Sequence, residues 1–167
     1  MEQSLTCGFT GHREIKKDHA SDIFDLVMRG VGYAYDRGYR TFVTGGAIGF
    51  DTVCAKAVIF FRMSHPDVRL ELVLPCKNQA DHWGASDREV YEYLLRSADS
   101  LEYVSEAYTE SCMRRRNMRI VERSDMIIAY VSHSKSGSGQ TLRLASEKNR
   151  IIYNLYPKLE EKNTKKM

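Results

Sequence analysis

The run DMIIAYV (125–131) is apolar from its second residue to its last, with no polar residue at alternate positions. A strand with one wet face alternates, so a strand without alternation must be covered on both faces. That requires a sheet with helices above and below it, and the rest of the chain offers both. SLTCGF (4–9) reads as a first strand, and residues 18–37 as a helix with Ile23, Val27 and Val31 on one face and Gly38 placed to end it. RTFVT (40–44) is a second strand. It leads into a helix over 50–63 that is apolar on nearly every side between Val53 and Phe61. RLELVLP (69–75) alternates and stops at a proline, and SDREVYEYLLRSA follows as a helix with Val90 and Leu94 turned inward. LEYVS is a weaker fourth strand, SCMRRRNMRIVERS a helix, QTLRLASEKN another, and RIIYNLY a last strand. Strand and helix alternate throughout. The fold class is therefore α/β: a three-layer, Rossmann-like, doubly wound and mainly parallel sheet in a single domain.

The domain is expected to span residues 1–156, with 157–167 a polar, disordered tail. With a net charge of only +3, and its excess confined to Arg114, Arg115, Arg116 and Arg119 and to the C-terminal KLEEKNTKKM, the chain lacks a general nucleic-acid surface. Four cysteines at 7, 54, 76 and 112 form no C-x-x-C pair, which argues against a zinc or disulfide framework. His82 has no second histidine at ligand spacing, so no metal is expected. The N-terminus is acidic where a secretory leader is basic, and no apolar run approaches a membrane span. A reduced, cytoplasmic protein without membrane contact is expected.

In doubly wound sheets, ligands sit at the carboxyl ends of the strands. The residues collected there are TGHR (10–13), TGGAIGFD (44–51), PCKNQADHW (75–83) and SHSKSGSGQT (132–141). TGGAIGFD is not a P-loop, because Phe50 stands where the lysine would be. Nor is it the dinucleotide fingerprint, because Thr44 stands at the first glycine position. It keeps the physics common to both: glycines between a strand and a helix let backbone N–H groups approach an anion. Equally, it reads as a tight turn with Asp51 capping the helix.

Thr10-Gly11-His12-Arg13, then Gly45, Gly46, Gly49 and Asp51, then Pro75 and Trp83, then Arg116-Asn117 with Ser124-Asp125, and finally Gly137, Gly139 and Thr141, form an ordered set over most of the chain. That set resembles the SLOG superfamily, which includes the DNA-processing protein DprA and the LOG-type hydrolases, and within it the YpsA-like branch of bacterial proteins. The resemblance implies a Rossmann-like fold and binding of nucleotides or their ribosyl derivatives. It departs from the LOG pattern where a catalytic glutamate should follow the threonine by three residues, since Leu144 stands three after Thr141, with Arg143 one register earlier. Neither acts as a base. Asp51 and Glu122 are the nearest carboxylates that could substitute.

The resemblance implies that Thr10, Gly11, His12 and Arg13 meet the ligand, with Arg13 able to pair with a phosphate in bidentate fashion; the alternative is a surface arginine on a turn. Gly45, Gly46 and Gly49 would turn N–H groups toward phosphate. Asp51 is either a cap or an acceptor for ribose hydroxyls, since a carboxylate repels an adjacent phosphate. Trp83, the one tryptophan, is either a lid that stacks a base or a ring folded onto the core. Arg116 and Asn117 match the family pattern, while Arg114, Arg115 and Arg119 read as a solvated face. Ser138, Gly139, Gln140 and Thr141 would form a second anion cradle at a helix start. The expected partner is a small-molecule nucleotide ligand of the ADP-ribose, NAD or nucleoside monophosphate type, bound without a further cofactor, with room for a sensor role and for a homo-oligomer. The alternatives are an N-glycosidase or phosphoribohydrolase and a DprA-like single-stranded DNA binder.

Overall fold

A computed structural model of the protein describes residues 4–165. The apolar runs become β1 (Leu5–Gly11), β2 (Tyr39–Thr44), β3 (Arg69–Leu74), β4 (Ser100–Tyr103), β5 (Met126–Tyr130) and β6 (Ile151–Asn154). Between and after them lie α1 (Ile23–Asp36), α2 (Phe50–Arg62), α3 (Ala85–Ser97), α4 (Cys112–Arg123), α5 (Gly137–Glu147) and α6 (Tyr156–Lys165), with a 3-10 turn at Lys17–His19 ahead of α1. The strands form one sheet in the order β4-β3-β2-β1-β5-β6, and every neighbouring pair is parallel. The chain winds outward from β1 to β4, then returns to the other side of β1. Right-handed crossovers in opposite directions put their helices on opposite faces, which gives the three layers.

The strand period of two sorts the core accordingly. Met126, Ile128 and Tyr130 face one layer, with Phe42, Leu70, Leu72 and Leu74, against α1, α2, α3 and α6. Ile127 and Ala129 face the other, with Val43 and Val73, against Ile120 and Val121 of α4 and Ala145 of α5. All five residues of β5 are buried, as a strand covered on both faces requires. The four cysteines are buried, free thiols. None of the described helices is long and apolar enough to cross a membrane.

Two segments differ from the sequence expectation. The glycine loop before α5 was expected to stay irregular to residue 139, but the helix starts at Gly137 because the Ser136 hydroxyl accepts the Gly139 N–H at 3.0 Å and caps the first turn. The polar segment from 157, expected to be disordered, is helical as α6 through Lys165. Residues 166–167 lie outside the described residues. Leu155 and Leu159, one helical turn apart, are buried at 4% and 2% exposure. Glu160 meets Lys16 at 2.7 Å and His19 at 2.9 Å, and Lys162 meets Asp22 at 2.9 Å. The apolar pair supplies most of the docking energy, because exposed ion pairs contribute little. Leu159→Ala is expected to cost about 2 kcal/mol, at the low end for leucine truncation because a surface helix can settle into the gap. A lowered urea midpoint would record it; an unchanged midpoint would mean that α6 is not docked.

Candidate functional site

The switch in winding direction falls between β1 and β5, where a crevice opens at the carboxyl ends of the strands. A cleft of about 290 Å³ lies there, lined by Thr10 to Arg13 after β1, Ala47 and Asp51 from the glycine turn, Met113, Arg116 and Asn117 of α4, and Ser136 to Ser138 at the start of α5. Three loops and one helix, separated in sequence, thus meet at one point, while the loop over 75–83 contributes no residue to the lining.

The first loop is clamped by its backbone. His12 N–H donates to the Tyr130 carbonyl at 3.1 Å, and the His12 carbonyl accepts from Phe50 N–H at 3.1 Å. Residue 13 is therefore held at the mouth of the cleft, where Arg13 is exposed and its guanidinium has no hydrogen-bond or ion-pair partner among the described residues, though its charge acts on Asp51. The His12 ring accepts the Ser132 N–H on Nε2 at 2.8 Å and stacks on His133 with centroids 5.4 Å apart. Accepting on Nε2 assigns the neutral ring's proton to Nδ1.

Burial lowers the His12 pKa, and the neighbouring His133 adds to the shift. A base with a depressed folded-state pKa contributes stability that is present above its unfolded value, about 6.5, and lost as pH falls through the folded value. The protein is expected to lose stability through His12 as pH falls below about 6.5. His12→Gln should flatten that part of a urea-midpoint profile, whereas a profile parallel to wild type would show that another group is responsible.

The floor of the cleft is charged. Arg116, only 6% exposed, donates from Nη1 to the Gly45 carbonyl at 2.7 Å and from Nε to Asn117 Oδ1 at 2.7 Å, while Nη2 has only Met113 Sδ at 3.8 Å. Burial lowers its pKa, and attraction to Asp51 is the largest opposing influence. Asp51, 7% exposed, accepts the Ala47 N–H on Oδ2 at 3.2 Å. Burial raises its pKa, with Arg116 and then the Ala47 N–H pulling the other way. The cleft therefore places an unpartnered guanidinium, a buried guanidinium and one carboxylate around the start of α5. Among the described residues, the Gly137 and Ser138 N–H groups are the open donors of that first turn.

Of the residues singled out from the sequence, Thr10, Gly11, His12, Arg13, Asp51, Arg116, Asn117 and Ser138 come together at this cleft. The others stand behind it. Gly45 gives its carbonyl to Arg116, and Gly46 packs toward Leu74 and Tyr91. Gly49 lies directly under the Arg13 carbonyl. The amide of Ala47 is taken by Asp51, so the glycine turn cradles its own carboxylate. Asp51 accordingly does not cap α2, whose N-cap is Gly49 without a side-chain bond. Gly139 is pressed against His133 and Ser134, and its N–H is bound to Ser136; the Thr141 hydroxyl donates to the Gly137 carbonyl at 2.8 Å. Trp83 packs edge-on to Tyr91 at 5.1 Å and is partly buried against the main core, so its ring is folded inward.

Gly137, part of the ordered set in the sequence, also lines the cleft, and so do Met113, whose apolar side chain reads from the sequence as core-facing, and Ser136, which was not singled out. The spacing of Met113 three residues before Arg116, on the same helical face, was the available signal. Arg115 and Arg119 are turned away, bonded to the Val104 carbonyl and to Glu102. No group of three His, Cys, Asp or Glu among the described residues is placed to hold a metal ion.

Comparison with known proteins adds the following. A family model described as the YspA SLOG family matches residues 11–155. A UPF0398 protein of Bacillus thuringiensis (strain Al Hakam) is 26% identical over 121 residues, which is 71% of this chain and 66% of that protein's length. Among solved structures, DNA processing protein A from Streptococcus pneumoniae superposes with a TM-score of 0.63 at 17% identity, over 89% of this chain and 49% of that one. DNA processing protein A from Helicobacter pylori, described with its single-stranded DNA binding mode, gives a TM-score of 0.64 at 18% identity, over 95% and 72%. At these identities the structures establish a shared fold.

Proposed function

The chain belongs to the YspA SLOG family, and from that premise we propose that it binds a nucleotide or nucleotide-derived ligand in the cleft between β1 and β5. One observation carries the reading: an unpartnered Arg13, a buried Arg116 and the open N–H groups of α5 converge on one small cleft. Guanidinium groups and a helix N-terminus are suited to a phosphate, and Asp51 to the hydroxyls of a ribose. The direct test is a thermal-shift screen of the purified protein against AMP, ADP-ribose, NAD and cyclic nucleotides, with each mixture then analysed for released base. A ligand at a hundred times its Kd stabilises by about 2.7 kcal/mol, a shift of roughly 5–10 °C for a chain of this size. A shift without product supports a binding protein, in keeping with a sensor. Free base would make it a hydrolase and turn attention to Asp51, the one carboxylate lining the cleft. No shift with any of the four would sink the reading.

A second reading, single-stranded DNA binding, is favoured by the exposed Arg114 and Arg143 on a groove that adjoins the cleft, and the Helicobacter pylori neighbour is described as a single-stranded DNA binder. It predicts an affinity that falls steeply with salt, and loss of that affinity in an Arg114→Ala, Arg143→Ala double variant. Nucleotide binding in the inner cleft would survive the same pair of changes.

A further inference from the structure

Resting on the nucleotide reading, we propose that the ligand is bipartite, with its sugar and phosphate in the inner cleft and its heterocycle in a second cleft between α4 and α5, where Gln140 reads the edge of the ring. The inner cleft is small and charged. Its volume of about 290 Å³ sits at the lower bound for small-molecule sites, and its side chains suit an anion and hydroxyls better than a planar ring. Immediately beside it, a second cleft of about 550 Å³ opens between α4 and α5. Met113, Asn117 and Gly137 line both, so the two spaces adjoin at these residues.

The outer cleft differs in chemistry. Met113, Met118 and Leu144 give it apolar, partly polarisable walls, and thioethers make favourable contacts with aromatic rings. Gln140 lies one turn into α5 with its amide exposed and without a partner among the described residues. An amide offers a donor and an acceptor side by side, which matches a ring that presents an amine next to a ring nitrogen, as an aminopurine does. At the junction, Asn117 is oriented by Arg116: its Oδ1 accepts Arg116 Nε at 2.7 Å, which turns its NH₂ group toward Gly137 as a donor for an oxygen of the passing ligand. Trp83 has no part in this, being packed on Tyr91. The ligand class is thus a nucleoside 5′-monophosphate with an amino-substituted purine.

The test compares AMP with ribose 5-phosphate by calorimetric titration of the full chain, in wild type and in Gln140→Ala and Met118→Glu, both surface changes that leave the inner cleft intact. AMP is expected to bind wild type about 10–100-fold more tightly than ribose 5-phosphate, the range for one well-placed base contact. Both variants should lose most of that advantage with ribose 5-phosphate affinity unchanged. Equal affinity of the two compounds for wild type, or an AMP advantage untouched in both variants, would overturn the proposal while leaving an anion site in place. If neither compound binds, the nucleotide reading itself fails, and this proposal with it.

Discussion

Arg116→Ala is expected to lower the melting temperature by about 10 °C and to remove measurable nucleotide binding. The guanidinium is 6% exposed and reaches the Gly45 carbonyl and Asn117, and its charge opposes the desolvation of Asp51. Without it, a carboxylate at 7% exposure loses its main counter-charge. Arg116 and Asp51 share no direct hydrogen bond, but removing one of two buried opposite charges leaves the survivor uncompensated, at a cost of about 3–5 kcal/mol where the charges are close-paired and less at longer range. In a chain of this length each kcal/mol is worth roughly 2–4 °C. A compensating change separates stability from function: in Arg116→Met with Asp51→Leu, both charges go, and most of the lost stability should return. Binding should not return, since the anion-facing group is still missing. A single variant that melts within 2 °C of wild type would refute the coupling between these two residues.

Gly49→Ala is expected to cost on the order of 4 kcal/mol, from two sources acting at one atom. Gly49 has φ +89° and ψ −125°, a conformation that side-chain-bearing residues rarely adopt. A methyl group there would also overlap the carbonyl of Arg13, which is backbone and cannot swing aside. The loop carrying Arg13 must then move away from α2, breaking the Phe50-to-His12 bond that clamps it. Gly38→Ala is the control. Its φ is +94°, but a Cβ there meets nothing within 4 Å, so only the backbone term remains, about 1 kcal/mol. Urea titration of both variants measures the difference. If the two cost the same, contact with the first loop contributes nothing.

The layer structure was legible because its cause is local. DMIIAYV announces a strand covered twice, and alternation of strand and helix leaves few topologies. The helical tail was not legible by composition, since the charged and polar residues around it hide the one-turn spacing of Leu155 and Leu159 that docks it. At the site, three of the four strand-end loops named from the sequence reach the cleft, the loop over 75–83 does not, and the residues of TGHR and of the Arg116-Asn117 step line it. The roles within TGGAIGFD were not visible. Whether a turn amide faces a ligand or its own aspartate depends on where Arg116 arrives, about seventy residues later, and no local pattern encodes that. Trp83 was ambiguous for a similar reason: its environment is set by Tyr91 on a neighbouring helix.

The central position of β1 has a consequence for how the protein becomes competent. One edge of β1 is matched by β2, which follows it closely, and the other by β5, whose paired residues lie some 120 positions further along. Closing that long loop is a late and entropically costly step. A nascent chain released through β4 would hold Arg13 and Asp51 but neither Arg116 nor the first turn of α5. The cleft is therefore complete only with the last crossover, and under the proposed nucleotide reading a ligand added during refolding should stabilise the finished state without speeding its formation.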